Sequence, residues 1–285
     1  MGRLRSALCS SKNYSTKTAR CSPNLNKRNT NYTMNIMLGK MRMFSPSRFG
    51  IFIVCILFCA FRSSAQANDE KQWYVSCELS SKYVWRGLEY GKAPTLFPSI
   101  NYERGAFLAS VSGAYAVDGS HQEVDLALSY AIKNVVTLGL SDYYFPSAAG
   151  QRDSYFRFRH SDTGHYVEVC ATIEPTKLPL WLKLSSYVYG ADKDNTGRQA
   201  YSTYAELGYQ HVFNNEDKLS LALGANLNKG FYTDYEQGFN VVNITLKYES
   251  WLTFNKFKLP VSASYALNPY RNKSYFTFSV YFSTK

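Results

Sequence analysis

The sequence predicts an all-β fold: a closed antiparallel transmembrane β-barrel of about twelve strands, with ten and fourteen as the neighbouring even counts. Three observations lead there. Apolar and polar residues alternate with period two through nearly every segment after Ala67, the mark of strands with two different faces. The connections between those segments tend to alternate between short and long. Aromatic residues make up 16% of the chain (Tyr 24, Phe 18, Trp 4), many of them at strand ends, where amphipathic rings favour the headgroup level of a bilayer.

The amino-terminal part stands apart. Residues 68–285 hold 21 basic and 21 acidic side chains, so the chain's net charge of +11 (32 − 21) comes wholly from residues 1–67 and is no argument for nucleic acid. Residues 1–40 read as a basic extension or an over-extended start, with Met41 or Met43 as the true one. Residues 41–67 read as a secretory signal peptide, with Lys40, Arg42 and Arg48 before the apolar run IFIVCILFCAF at 51–61 and Ala65-Gln66-Ala67 as the cleavage site. That run is too short for a bilayer-spanning helix, which takes about 20 residues. A mitochondrial transit peptide is the rival for a basic, acid-free leader, but it leaves the apolar run and the cleavage site unexplained. A lipoprotein anchor at Cys59 is disfavoured by Phe58, where a small residue is wanted. The mature chain then starts near Asn68, and 68–285 is the barrel, exported to a bacterial outer membrane.

Strand candidates follow near 73–86, 95–102, 107–115, 122–132, 135–144, 165–173, 178–189, 200–213, 218–228, 239–252, 259–267 and 274–283. In the first, Trp73, Val75, Cys77, Leu79, Ser81, Tyr83 and Trp85 share one face, while Glu78, Lys82 and Arg86 share the other. Leu219, Leu221, Leu223 and Leu227 line one face of a later strand, and Phe276, Phe278, Val280 and Phe282 line one face of the last. In 239–252, Val242, Ile244, Leu246 and Tyr248 oppose Asn243, Thr245, Lys247 and Glu249. Short connections fall at 103–106, 133–134, 174–177, 214–217 and 255–258, and longer ones at 87–94, 145–164, 190–199, 229–238 and 268–273, with 116–121 intermediate. Short periplasmic turns and long external loops are the habit of outer-membrane barrels. Of six cysteines only Cys77 and Cys170 follow the leader, too few for a disulfide scaffold; whether the two pair is left open.

The polar faces supply the pore-lining candidates: Glu78, Lys82, Arg86, Glu123, Asp125, Glu168, Lys183, Glu206, Lys247 and Glu249. Trp73, Trp85, Tyr115, Tyr143 and Tyr265 are the candidates for the aromatic girdles. Parity places Trp85 in the outer girdle and Arg86 at the solvent-screened mouth, where its replacement would cost below about 1 kcal/mol.

The stretch SSKYVWRGLEYGKAPTLFPSINYE (80–103), followed by HQEVDLALSYAI (121–132) and DYYFP (142–146), resembles the TorF-type porins. The resemblance covers about 80–146 on Trp85-Arg86-Gly87, Glu123, Asp125, Tyr143 and Pro146, and is architectural beyond. It implies a bacterial outer-membrane barrel acting as a pore, with no assigned solute and no catalytic residue. The chain departs from outer-membrane proteins generally in ending on Ser283-Thr284-Lys285 rather than on an aromatic.

Three functions compete. A passive pore for ions or small solutes is the first, with the bilayer, the outer-membrane assembly machinery and an unknown small solute as partners, no nucleic acid, no cofactor and no metal. A non-conducting structural or adhesive barrel with partner-binding external loops is the second. A lipid hydrolase is the third, and it is disfavoured because His160 and Ser161, as neighbours on a strand, would point to opposite faces.

Overall fold

The computed structural model describes residues 72–146, 154–255 and 257–285; the segments read from the sequence as a basic extension (1–40) and as a signal peptide with its cleavage site (41–67) lie outside the described residues. The strands are β1 (Gln72–Ser80), β2 (Tyr83–Trp85), β3 (Leu88–Gly91), β4 (Thr95–Arg104), β5 (Phe107–Ala116), β6 (Gln122–Ile132), β7 (Val136–Tyr144) and β8 (His165–Ile173). They continue as β9 (Leu180–Gly190), β10 (Thr203–Val212), β11 (Lys218–Asn226), β12 (Asn240–Phe254), β13 (Phe257–Asn268) and β14 (Lys273–Ser283). Twelve of them close a barrel in the order β1-β14-β13-β12-β11-β10-β9-β8-β7-β6-β5-β4, every neighbour antiparallel. Closure leaves no unpaired edge, which hydrocarbon cannot solvate.

The alternation has the expected sense. Leu221, Leu223, Leu246, Phe276, Phe278 and Phe282 are exposed on the outer wall, whereas Ser99, Asn101, Ser141, Thr172, Ser185 and Ser279 are buried on the inner one. An apolar exterior around a polar interior is the reverse of a soluble barrel. Both described chain ends and the tight turns lie at one end of the wall, with the long connections 81–94, 145–164, 191–202 and 227–239 at the other. The last connection, 269–272, is tight although it belongs to the long-loop end, contrary to the reading of 268–273 as a longer one.

Two expectations of face are overturned. The first strand stops at Ser80 instead of running to Arg86, so its parity carries no meaning for Tyr83, Trp85 or Arg86. On β12 the register slips against β11, with Gly224 opposite Asn243 and Ala225 opposite Val241. The extra residue, Val242, is fully buried in the interior instead of facing outward with Ile244 and Leu246. Cys77 is a free thiol, so no Cys77–Cys170 bridge forms; Cys77 shares the outward face of Val75 and Leu79, and Cys170 the inward face of Glu168 and Thr172.

Candidate functional site

A twelve-stranded barrel is too wide for wall side chains alone to fill. Here the chain between β1 and β4 folds into the lumen. Strands β2 and β3 form a hairpin of their own, joined through Arg86 and Gly87. Both turn residues have positive φ, 48° and 74°, as a two-residue type I′ turn requires. The local sequence accounts for this: Tyr-Val-Trp and Leu-Glu-Tyr are strand formers flanking a dipeptide whose second residue is glycine. At the base, Lys82 Nζ donates to Glu89 Oε1 at 2.7 Å across the hairpin.

The tip reaches the opposite wall. Gly87 packs on the backbone of Val242 where β12 bulges, and its carbonyl accepts from Asn268 Nδ2 at 3.0 Å. Arg86 forms a fork with Glu168 of β8, Nη1 to Oε2 at 2.6 Å and Nη2 to Oε1 at 3.0 Å. Tyr143 donates to the same carboxylate at 3.2 Å, and Arg86 also donates to the Tyr232 hydroxyl. Its guanidinium lies 4.3 Å from the ring centre of Trp85 and 4.5 Å from that of Tyr204. A planar cation suits both a bidentate carboxylate and aromatic faces, which a lysine ammonium would serve less well.

Around that tip the interior is aromatic. Tyr83 (0% exposed), Trp85 (4%), Phe97, Tyr143, Tyr187, Tyr204 and Tyr232 form one cluster with Ala114 and Val242. Tyr83 donates to Glu123 of β6 at 2.7 Å, and His121 Nε2 lies 3.2 Å from the same oxygen. A second inserted piece comes from the 227–239 connection, whose short 3-10 turn, Phe231–Thr233, carries Tyr232 inward. Asn226 holds this turn through Thr233 Oγ1 at 3.1 Å, and Tyr270 through the Thr233 carbonyl at 3.3 Å. Glycines make room for the flat rings: the Tyr204 ring lies over Gly224, and that of Trp181 over Gly208.

At the long-loop end of the barrel, the buried Asp192 ties two connections together. It accepts from Ser202 N at 2.8 Å, from Gln199 at 3.3 Å and from Tyr235 of the neighbouring loop at 3.2 Å. Burial pushes this carboxyl above the usual aspartate range, partly offset by the Ser202 and Tyr235 hydrogen bonds. Asp194, exposed nearby, is held below that range by Thr196 and Arg198.

The pore-lining candidates therefore divide. Glu78, Glu123, Asp125, Glu168, Lys183, Glu206, Lys247 and Glu249 stand on the inner face of the wall, with Lys247 3.4 Å from Glu249 and Glu206 accepting from Trp181 and Tyr204. Lys82 and Arg86 stand on the inserted hairpin, and Arg86 is buried at its tip, not screened at a rim. Of the girdle candidates, Trp73, Tyr115 and Tyr265 are exposed on the outer wall. Trp85 and Tyr143 are not: both turn into the lumen, because the strand break at Ser80 moves Trp85 into the hairpin and β7 parity points Tyr143 at Glu168. His160 and Ser161 make no dyad; the His160 ring packs on Tyr189 at 5.5 Å and Ser161 donates to Asp162 at 3.3 Å. The interior tyrosines 187, 204 and 232 were missed by reading aromatics as girdle, although their near-alternation with glycines and polar residues is visible in the sequence.

No protein-family model and no curated protein matches the sequence. Among solved structures, the KdgM porin aligns at 11% identity and a TM-score of 0.42, covering 74% of this chain and 98% of that one. An outer membrane channel from Pseudomonas putida F1 aligns at 12% and 0.37, covering 78% and 97%. Wzi, an Escherichia coli outer membrane protein of capsule assembly described as a carbohydrate-binding barrel, aligns at 9% and 0.34, covering 85% and 89%. The fold assignment rests on this chain's own strand pairing.

Proposed function

We propose that the protein is a bacterial outer-membrane channel for ions or small solutes, held shut by the 81–94 hairpin. The observation that carries this reading is that a separate, polar-tethered hairpin enters the lumen and packs there against the inward-facing aromatic side chains of the wall. The inner wall carries charges of both signs, which suits a weakly selective aqueous path once the insert is withdrawn. The export signal at 41–67 and the bilayer and assembly machinery as partners belong to the same reading. The filled lumen also favours a second reading, a non-conducting structural or adhesive barrel.

Conductance separates them. Ser80 and Thr95 are register partners, so residues 81–94 can be replaced by an Asn-Gly turn without moving the wall. In planar bilayers the native barrel should conduct rarely and the hairpin deletion steadily. A folded deletion variant that passes no current favours the structural barrel.

A further inference from the structure

On β7 and β8, Tyr143 and Glu168 point inward, so Asp142, Tyr144 and His165 belong to the outer wall, in line with the exposed Leu138 and Val169. Yet Tyr144 and His165 are buried, His165 completely. Residues 154–164 cover them. The Phe158 ring stacks on His165 at 4.3 Å, Tyr155 meets Tyr144 edge-on at 5.2 Å, and the Tyr155 carbonyl lies 2.7 Å from His165 Nε2. The other ring nitrogen of His165 faces Asp142 of β7 at 2.8 Å, which fixes the ring on the wall while Nε2 meets the lobe. Tyr189, on the outward face of β9, donates to the Phe158 carbonyl, and Lys193 donates to that of His160. The lobe thus folds down the outside of the wall at its long-loop end, not across the mouth.

Its outer surface is unusual for a loop. Phe156 is 84% exposed and Phe158 46%, and they alternate with Arg157 and Arg159, also exposed. Arg157 is 3.7 Å from Asp162, the lobe's one carboxylate, and Arg159 has no ion-pair partner among the described residues. Aromatic rings next to guanidinium groups, beside an apolar wall, suit the boundary between acyl chains and anionic headgroups.

We infer that residues 154–164 form a membrane-surface anchor in which Phe156 and Phe158 enter the lipid boundary and Arg157 and Arg159 bind lipid phosphates. The inference rests on the barrel spanning a bilayer. A basic residue near an anionic surface is worth about five-fold in affinity, so removing two, one of them already shared with Asp162, should cost on the order of ten-fold.

The test uses folded protein in neutral micelles, with folding verified separately by heat-dependent gel mobility. Wild type, R157Q/R159Q and F156S/F158S are titrated with phosphatidylglycerol and with phosphatidylcholine, and binding is read by native mass spectrometry. The arginine variant should lose about ten-fold of the preference for phosphatidylglycerol with phosphatidylcholine unchanged, and the phenylalanine variant should bind both lipids more weakly. An unchanged preference in R157Q/R159Q overturns the anchor. So does full competition by inorganic phosphate, which would mark a site for the free anion. Wild-type protein that folds in micelles but fails to insert into vesicles overturns the membrane reading itself, whatever the titration gives.

Discussion

Gly87 lies so close to the Val242 carbonyl that a methyl group at position 87 would overlap its oxygen, and Gly87 itself holds a left-handed φ of 74°. The hairpin tip and the β12 bulge are fitted to each other: without the extra residue Val242, that carbonyl would not stand there.

Gly87→Ala is therefore expected to push the tip back. The left-handed backbone alone costs an alanine roughly 1–2 kcal/mol, and the overlap adds to that. Withdrawing the tip relieves the overlap while the wall stays paired. Vesicles loaded with a small dye should leak faster through the variant, with unaltered heat-dependent mobility on gels; unchanged leakage would show that the tip does not gate the lumen.

Removing one partner of the Arg86–Glu168 pair should be costly, because the other charge is left buried. Glu168→Ala is expected to lower stability by about 3–5 kcal/mol in urea refolding titrations. The double variant Arg86→Met with Glu168→Leu should recover much of that loss. If Glu168→Ala costs less than about 1 kcal/mol, the pair is solvent-screened and the hairpin lies higher in the lumen than described.

Face assignment on β11 and β12 is open to a paired test. Leu223→Arg, on the outer wall, should cost roughly 2–4 kcal/mol if it lies near the bilayer midplane. Single cysteines at Ile244 and Leu246 should react with lipid-borne reagents, and one at Val242 should not. Reaction at all three would remove the bulge from the account.

The external loops should titrate in opposite senses. Asp192 is held above the ordinary aspartate value, so the stability it contributes is complete below about pH 3.9 and is lost as pH rises through its folded value. Asp118, in the turn between β5 and β6, is held below it by hydrogen bonds from the Ser120 hydroxyl and amide, and Asp194 by Thr196 and Arg198, so theirs is present above about pH 3.9 and lost as pH falls through their folded values. Carboxyl carbon NMR should give Asp192 a higher midpoint than either; one shared midpoint would dissolve the loop clamp.

Most of the wall was legible because its determinants are local. Leu219, Leu221 and Leu223 alternate with small residues whatever the rest of the chain does, and a lipid-facing side needs no particular partner. The interior was less legible because its determinants are distant. Arg86 is 82 residues from Glu168 and 146 from Tyr232, and nothing near it announces either partner. Extending β1 through Ser80 to Trp85 carried one parity across a break, which sent Trp85 to the wrong side of the wall. The Arg86-Gly87 turn was the available correction, since glycine between two strand-forming triplets signals a hairpin better than a strand end. Val242 was out of reach, because a bulge needs a partner strand to define it.

The closing ladder is short, joining Ser76–Ser80 to Ser279–Ser283, whereas β1 meets β4 from Gln72 to Ser80. It also unites the two strands farthest apart along the chain, the slowest contact for a growing polymer to find. The hairpin follows β1 directly, yet its tip is held by strands far along the chain, Arg86 by Glu168 of β8 and Gly87 by the Val242 bulge of β12. The insert is thus a strut across the lumen that ties the strand beside the short seam to distant parts of the wall, and a variant that frees it is expected to loosen the β1–β14 seam as well as to leak.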